Sequence, residues 1–237
     1  SYYLKNIATY EADRADVLKL NAYFLHHGDK LKNRISINER SFEIWGREKF
    51  LSKDGGTRIL KNLGISEEFL NYYATATPLA YYSNSKQTPQ KVLILENKDT
   101  FYSMRKHLLA GSKAILKTDI STLVYGGGKN IYKSFGDFDI CVEPYVADAN
   151  NTILYFGDLD YEGIIIYELL TREFAGEHTL KPFIEGYTAM IDKYLKMDIP
   201  LPKTKAGQNR NISEQFLREF NEEYRKAIMD ILERDEY

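Results

Sequence analysis

Ile153-Leu154-Tyr155-Phe156-Gly157-Asp158-Leu159-Asp160-Tyr161-Glu162-Gly163-Ile164-Ile165-Ile166-Tyr167 is the stretch whose reading sets the fold. Four β-prone residues lead into two acids one residue apart, then a glycine, then an apolar run that opens a helix over Tyr161–Phe174. The order describes a strand whose carboxyl end presents Asp158 and Asp160 beside a helix start, a place suited to a divalent cation. The same acids have a plainer use as caps, because an aspartate ahead of a helix accepts from its first free N–H groups. Glu162 reads as a first-turn acid favoured by the helix dipole rather than as a ligand.

Outward from this stretch, residues 88–237 alternate strands and helices. Lys91–Leu95 reads as a buried strand, Asp99–Leu109 as a helix, and Ser121–Tyr125 as a strand ending at Gly126-Gly127-Gly128. Lys181–Ile184 reads as a weak fourth strand or loop, Lys203–Asn211 as a polar loop, and Ser213–Glu233 as one long amphipathic helix. Strands spaced by helices imply parallel βαβ units covered on both faces, which bind ligands at the carboxyl ends of their strands. Glu96 follows the first of these strands, so it should converge on one edge with Asp158 and Asp160. Carboxylates there suit a hard cation such as Mg²⁺, with substrate phosphate completing its shell, and so suggest phosphodiester chemistry. Lys98 reads equally as a phosphate contact or a solvated lysine, and Gly126–Gly128 as a turn or a close approach for phosphate without the ending of a P-loop.

Residues 1–87 resemble a winged-helix-like DNA- or partner-binding module. Glu11–His27 carries an apolar face of Ala12, Ala15, Leu18, Ala22 and Leu25, widened by Val17, Leu20, Tyr23 and Phe24. Arg34–Gly46 partly alternates and reads as a short strand or strand–helix edge, with short helices at Thr57–Leu63 and Ser66–Leu70. Arg40, Arg47 and Lys49 form a candidate DNA-facing patch; the other reading is an ordinary mixed-charge surface with Glu43 and Glu48. The proline-bearing stretch from Thr75 to Pro89 reads as a linker, with a domain boundary near Gln87.

Composition narrows the class. A chain of 237 residues with 43% hydrophobic and 14% aromatic residues supports a packed core, and a net charge of -2 lacks the basic signature of a protein that coats nucleic acid by charge alone. The single cysteine, Cys141, excludes an internal disulfide or a Cys-rich zinc site and fits a reducing cytoplasm. No apolar run approaches the roughly twenty residues needed to span a bilayer, and the first residues lack a signal-peptide pattern. His26, His27, His107 and His178 show no metal-ligand spacing.

In order along the chain, Asn38-Glu39-Arg40-Ser41-Phe42-Glu43-Ile44-Trp45-Gly46-Arg47-Glu48-Lys49-Phe50-Leu51, Glu96-Asn97-Lys98, Tyr125-Gly126-Gly127-Gly128 and Gly157–Gly163 resemble the JetD family. These are nuclease subunits of the bacterial Wadjet plasmid-defence system, related to the A subunit of topoisomerase VI. The resemblance runs from about Ser36 to Phe220. It implies an α/β protein with an N-terminal winged-helix (CAP-like) domain and a C-terminal Toprim domain over residues 88–237. It further implies a metal-dependent DNA endonuclease, active as a homodimer on double-stranded DNA beside SMC-type subunits. Glu96, Asp158 and Asp160 match the family's acids for Mg²⁺ or Mn²⁺. Topoisomerase VI attacks DNA with a winged-helix tyrosine, whereas the matching Arg40–Trp45 holds Phe42 and Trp45 but no tyrosine, as in the JetD type. Water is then the expected nucleophile. The contrasting expectation is a non-catalytic DNA- or partner-binding module with a structural acidic edge; a primase-like reading has no visible template-binding zinc site behind it.

Overall fold

Two units share the chain, Ser1–Thr75 and Ala76–Tyr237, in a computed structural model that describes residues 2–75, 77–128, 131–136, 138–176, 178–197, 202–204 and 207–234, without the side chains of residues 132 and 133. The first unit runs α1 (Tyr2–Lys5), α2 (Ile7–His27), β1 (Ile35–Ser36), α3 (Ile37–Trp45), α4 (Gly56–Leu63) and β2 (Tyr72–Tyr73), with β1 and β2 pairing in parallel. Arg34–Gly46 is thus the strand–helix edge expected there, with the helix as its larger part. The cause is a capping box, in which the Glu39 N–H donates to Ser36 Oγ at 3.3 Å and the Ser36 N–H to Glu39 Oε2 at 2.9 Å. The expected Ser66–Leu70 helix shrinks to a 3₁₀ turn at Glu68–Leu70.

The face α2 buries also differs from the one expected. Leu20 and Tyr23 join Ile44, Trp45, Phe50, Leu51, Ile59, Leu60 and Leu70 in the core, while Leu18 and Leu25 are left exposed. A buried acid on the same side, Asp13, is accommodated because Arg58 binds it through both terminal guanidinium nitrogens at 2.7 Å and the Tyr3 hydroxyl donates to it at 2.8 Å.

The second unit begins with β3 (Ala80–Ser83), β4 (Lys91–Leu95), α5 (Lys98–Leu109), β5 (Ala114–Ile115), β6 (Thr118–Asp119) and β7 (Thr122–Tyr125). It continues through α6 (Ile131–Phe135), α7 (Phe138–Cys141), α8 (Pro144–Ala147), β8 (Thr152–Phe156), α9 (Tyr161–Glu173), β9 (Thr179–Pro182), α10 (Ile184–Lys196) and α11 (Glu222–Glu233). Its sheet has the order β3-β7-β4-β8-β9, parallel throughout except for β3 at one edge. The boundary expected near Gln87 therefore falls inside this unit, because Tyr81 and Tyr82 pair with Val124 and Leu123 and draw the presumed linker into the sheet.

Strand alternation sends Val92, Ile94, Ile153 and Tyr155 to one face, against Ile164, Tyr167 and Leu170 of α9. Leu93, Leu95 and Leu154 point to the other, with Phe101 and Leu108 of α5 and Phe183. Cover on both faces is why Val92–Leu95 reads as an unbroken apolar run. The long helix expected over Ser213–Glu233 is shorter: Leu217–Glu219 forms a 3₁₀ turn, and Asn221, in extended backbone, restarts the chain as α11 by accepting from the Tyr224 N–H at 3.0 Å. No described helix is long and apolar enough to cross a membrane.

Candidate functional site

The register places Leu95 opposite Phe156 on one side and Tyr125 on the other. Hydrogen bonds carry the pairing one step further, from the Glu96 N–H to the Phe156 carbonyl at 3.0 Å and from the Gly126 N–H to the Leu95 carbonyl at 2.9 Å. Glu96 therefore stands at the carboxyl edge of the sheet, between the Gly126–Gly128 loop and the turn that carries Gly157 and Asp158. Gly128 passes beside it, since a β-carbon there would lie 3.7 Å from Glu96 Oε1.

Glu96 is half-buried and firmly held. The Tyr155 hydroxyl donates to its Oε2 at 2.7 Å, and the Asp158 backbone N–H donates to the same carboxylate. A β-carbon at Gly157 would sit 2.6 Å from the Tyr155 hydroxyl and would overlap the Glu96 carboxylate, so any larger residue would displace one or both. The Gly157 N–H donates to the hydroxyl of buried Tyr187 of α10 at 3.0 Å, a hydroxyl whose pKa burial drives up, so it remains protonated.

Asp158 is solvent-exposed, and its side chain makes no described hydrogen bond or ion pair. Asp160 is 9% exposed, and both of its oxygens are engaged. Oδ1 accepts from the Gly163 N–H at 2.8 Å and caps α9; Oδ2 accepts from Gln208 Nε2 at 2.7 Å. The capping use of the Asp-x-Asp pair is thus realised at Asp160. Gly163 completes the turn, because a β-carbon there would strike the Asp158 carbonyl.

The acids feel one another. Burial raises the pKa of Glu96, with the charges of Asp158 and Asp160 adding to the rise and the Tyr155 and Asp158 N–H hydrogen bonds opposing it. Partial desolvation raises Asp158, and the Asp160 charge adds to it. Among the described residues no Lys or Arg pairs with any of the three. A cation would relieve this repulsion, and the donor set is entirely oxygen, as Mg²⁺ or Mn²⁺ prefers. Among the described residues, however, no three His, Cys, Asp or Glu side chains are gathered closely enough to surround an ion by themselves. An ion at this edge would take one or two carboxylates, with water and phosphate supplying the rest, which is the usual habit of Mg²⁺.

The basic candidates fare differently. Lys98 is exposed at the first position of α5, after Asn97 caps that helix by accepting from the Asp99 and Thr100 N–H groups at 2.9 and 3.3 Å. Arg40 is not on a DNA-facing surface. It is 0% exposed, donating to the Tyr23 hydroxyl at 2.5 Å, to Glu43 at 2.7 Å and to the Asn33 carbonyl at 2.6 Å, because a buried guanidinium must find acceptors within the fold. Arg47 is half-exposed, bonded to Asp16 and stacked 3.7 Å over the Phe50 ring. Lys49 is exposed.

Tyr155, Tyr187 and Gln208 escape a reading by motif. Tyr155 passes for core, Tyr187 lies in a helix the sequence did not signal, and Gln208 sits in a polar loop 48 residues from Asp160. Only the even alternation along Ile153–Phe156, which puts Tyr155 on the face of its neighbour's acid, hints at the first.

Fold and edge together define an α/β protein whose mainly parallel, helix-covered sheet collects carboxylates at the carboxyl ends of neighbouring strands. The family model for the C-terminal part of the Wadjet protein JetD matches residues 61–231, well over half of the chain, and the chain belongs to that family. No curated protein matches it.

Proposed function

We propose that this chain is the nuclease subunit of a Wadjet-type defence system, a metal-dependent endodeoxyribonuclease whose second unit is a Toprim domain and whose first is a winged-helix-like DNA- or partner-binding domain. In this reading it acts in the cytoplasm as a homodimer, on double-stranded DNA, beside SMC-type Wadjet subunits. The observation that carries the proposal is the placement of Glu96 and Asp158 at adjacent strand ends, raised in pKa and with no described cation beside them. Perturbed acids of this kind concentrate at functional sites.

Each residue of the edge has work that follows from its contacts. Glu96 and Asp158 are the candidate ligands of Mg²⁺ or Mn²⁺, with Asp160 contributing through the lone pairs its cap leaves open. When bound, the ion would offset charge building on the phosphate and activate water for attack. Tyr155 and the Asp158 N–H keep the Glu96 carboxylate in one orientation. Gly157 keeps the space beside that carboxylate open, and Lys98, exposed at the start of α5, is the candidate phosphate contact. Phe42, 61% exposed in the stretch that resembles the tyrosine-bearing part of topoisomerase VI, offers no hydroxyl.

The test is plasmid cleavage by the assembled complex, wild type against Asp158→Ala. Asp158 supports no described side-chain hydrogen bond, so the substitution removes a carboxylate and leaves the fold intact. Cleavage is expected to fall at least about 100-fold; equal cutting by both proteins would sink the proposal. One observation favours the non-catalytic alternative: Asp160 is already occupied by Gly163 and Gln208. That alternative predicts DNA or partner binding that persists with no divalent-metal heat in calorimetry.

A further inference from the structure

The polar loop before α11 follows α9 along its length. Gln208 meets Asp160 at the helix cap, the Arg210 guanidinium lies 5.7 Å from the centroid of the Tyr161 ring, and Ser213 donates its N–H and hydroxyl to Glu168 at 2.9 and 2.8 Å. The chemistry of the first contact fixes its sense: a carboxylate only accepts, so the Gln208 amide must present its NH₂ to Oδ2. The other end of that amide, Oε1, is buried and has no hydrogen-bond partner among the described residues. No second described interaction therefore holds the head group, and its placement is committed to Asp160.

We infer that Gln208 is a positioning residue for the acidic edge, fixing the rotation of the Asp160 carboxylate through its Nε2–Oδ2 hydrogen bond. With Gly163 on one oxygen and Gln208 on the other, Asp160 cannot swing between rotamers, and its remaining lone pairs keep one orientation. Outer partners of this kind set the affinity of carboxylate ligands for their ion. The inference rests on the proposal that this edge takes a divalent cation.

Calorimetric titration of Mn²⁺ into the full chain tests it, with thermal melts confirming that each variant is folded. Gln208→Met keeps the length of the side chain and removes the donor, and its Mn²⁺ affinity is expected to be about 10–100-fold weaker than wild type. Ser213→Ala loosens the same loop at its far anchor without touching Asp160, and should stay within about twofold. Unchanged affinity in Gln208→Met, or an equal loss in Ser213→Ala, overturns the positioning role and leaves the metal site standing. Absence of any Mn²⁺ binding by the wild-type chain overturns both.

Discussion

The two units arrange their charged side chains in opposite ways. In the first, every buried charge has an opposite partner. Arg40 is enclosed by Glu43, Tyr23 and backbone carbonyls, and the Arg58 guanidinium beside Asp13 holds that carboxyl below the usual carboxylate range. In the second, like charges face one another, and Glu96 and Asp158 are pushed up instead. Charges of the first kind stabilise the structure that holds them. Those of the second are kept together at a cost to stability, and are for that reason the ones free to bind something else.

Removing Arg40 should break the first arrangement most severely. Arg40→Ala takes the charged donor from Glu43, which keeps only the Tyr23 hydroxyl at 2.8 Å and a distant Lys30, and leaves the Asn33 carbonyl without its donor; it is expected to destabilise the N-terminal unit by about 3–5 kcal/mol, read by chemical denaturation. A loss under about 1 kcal/mol would mean that the guanidinium is dispensable to the fold. The next effect belongs to the acidic edge. Gly157→Ala drives a methyl group into Glu96 and Tyr155 and should cost about 1–3 kcal/mol while weakening Mn²⁺ binding. Unaltered melting and metal affinity would show that the turn can yield.

Asp13→Asn should cost about 1–3 kcal/mol, and it also predicts a pH dependence. The folded pKa of Asp13 lies below its unfolded value, so its contribution is fully present above the unfolded carboxylate range and is lost as pH falls through the folded pKa. Acid titration of wild-type stability should show this loss, and Asp13→Asn should flatten it; identical acid profiles for the two proteins would contradict the ion pair's role. Glu96→Gln is the smallest and has the opposite sign. In metal-free protein it relieves repulsion, keeps an acceptor for Tyr155, and should raise stability by about 0.5–1 kcal/mol. Destabilisation in the melt would place Glu96 among the charges that hold the fold.

The residues of the site divide by how local their signal is. Glu96 could be placed from sequence because it follows Lys91–Leu95 directly, and a strand end is marked by its own neighbours. Asp160 could be read as a cap for the same reason, with Gly163 three residues on. The partial alternation of Arg34–Gly46 marks the strand–helix edge that β1 and α3 form, while the length of the helix is signalled by the capping box of Ser36 and Glu39. Arg40 carries no local mark of its burial, because arginine on a polar stretch looks the same whether its guanidinium meets water or a buried Tyr23.

By itself, the sequence determined the parallel strands β4, β7 and β8 and the acids that end β4 and β8, since apolar runs, glycines and following helices are short-range patterns that each segment carries alone. Only the tertiary structure decided that Ala80–Ser83 joins the sheet, that Arg40 is interior, and that Gln208 reaches Asp160. Those outcomes depend on which distant segment fills a given space, and no local pattern encodes the partner.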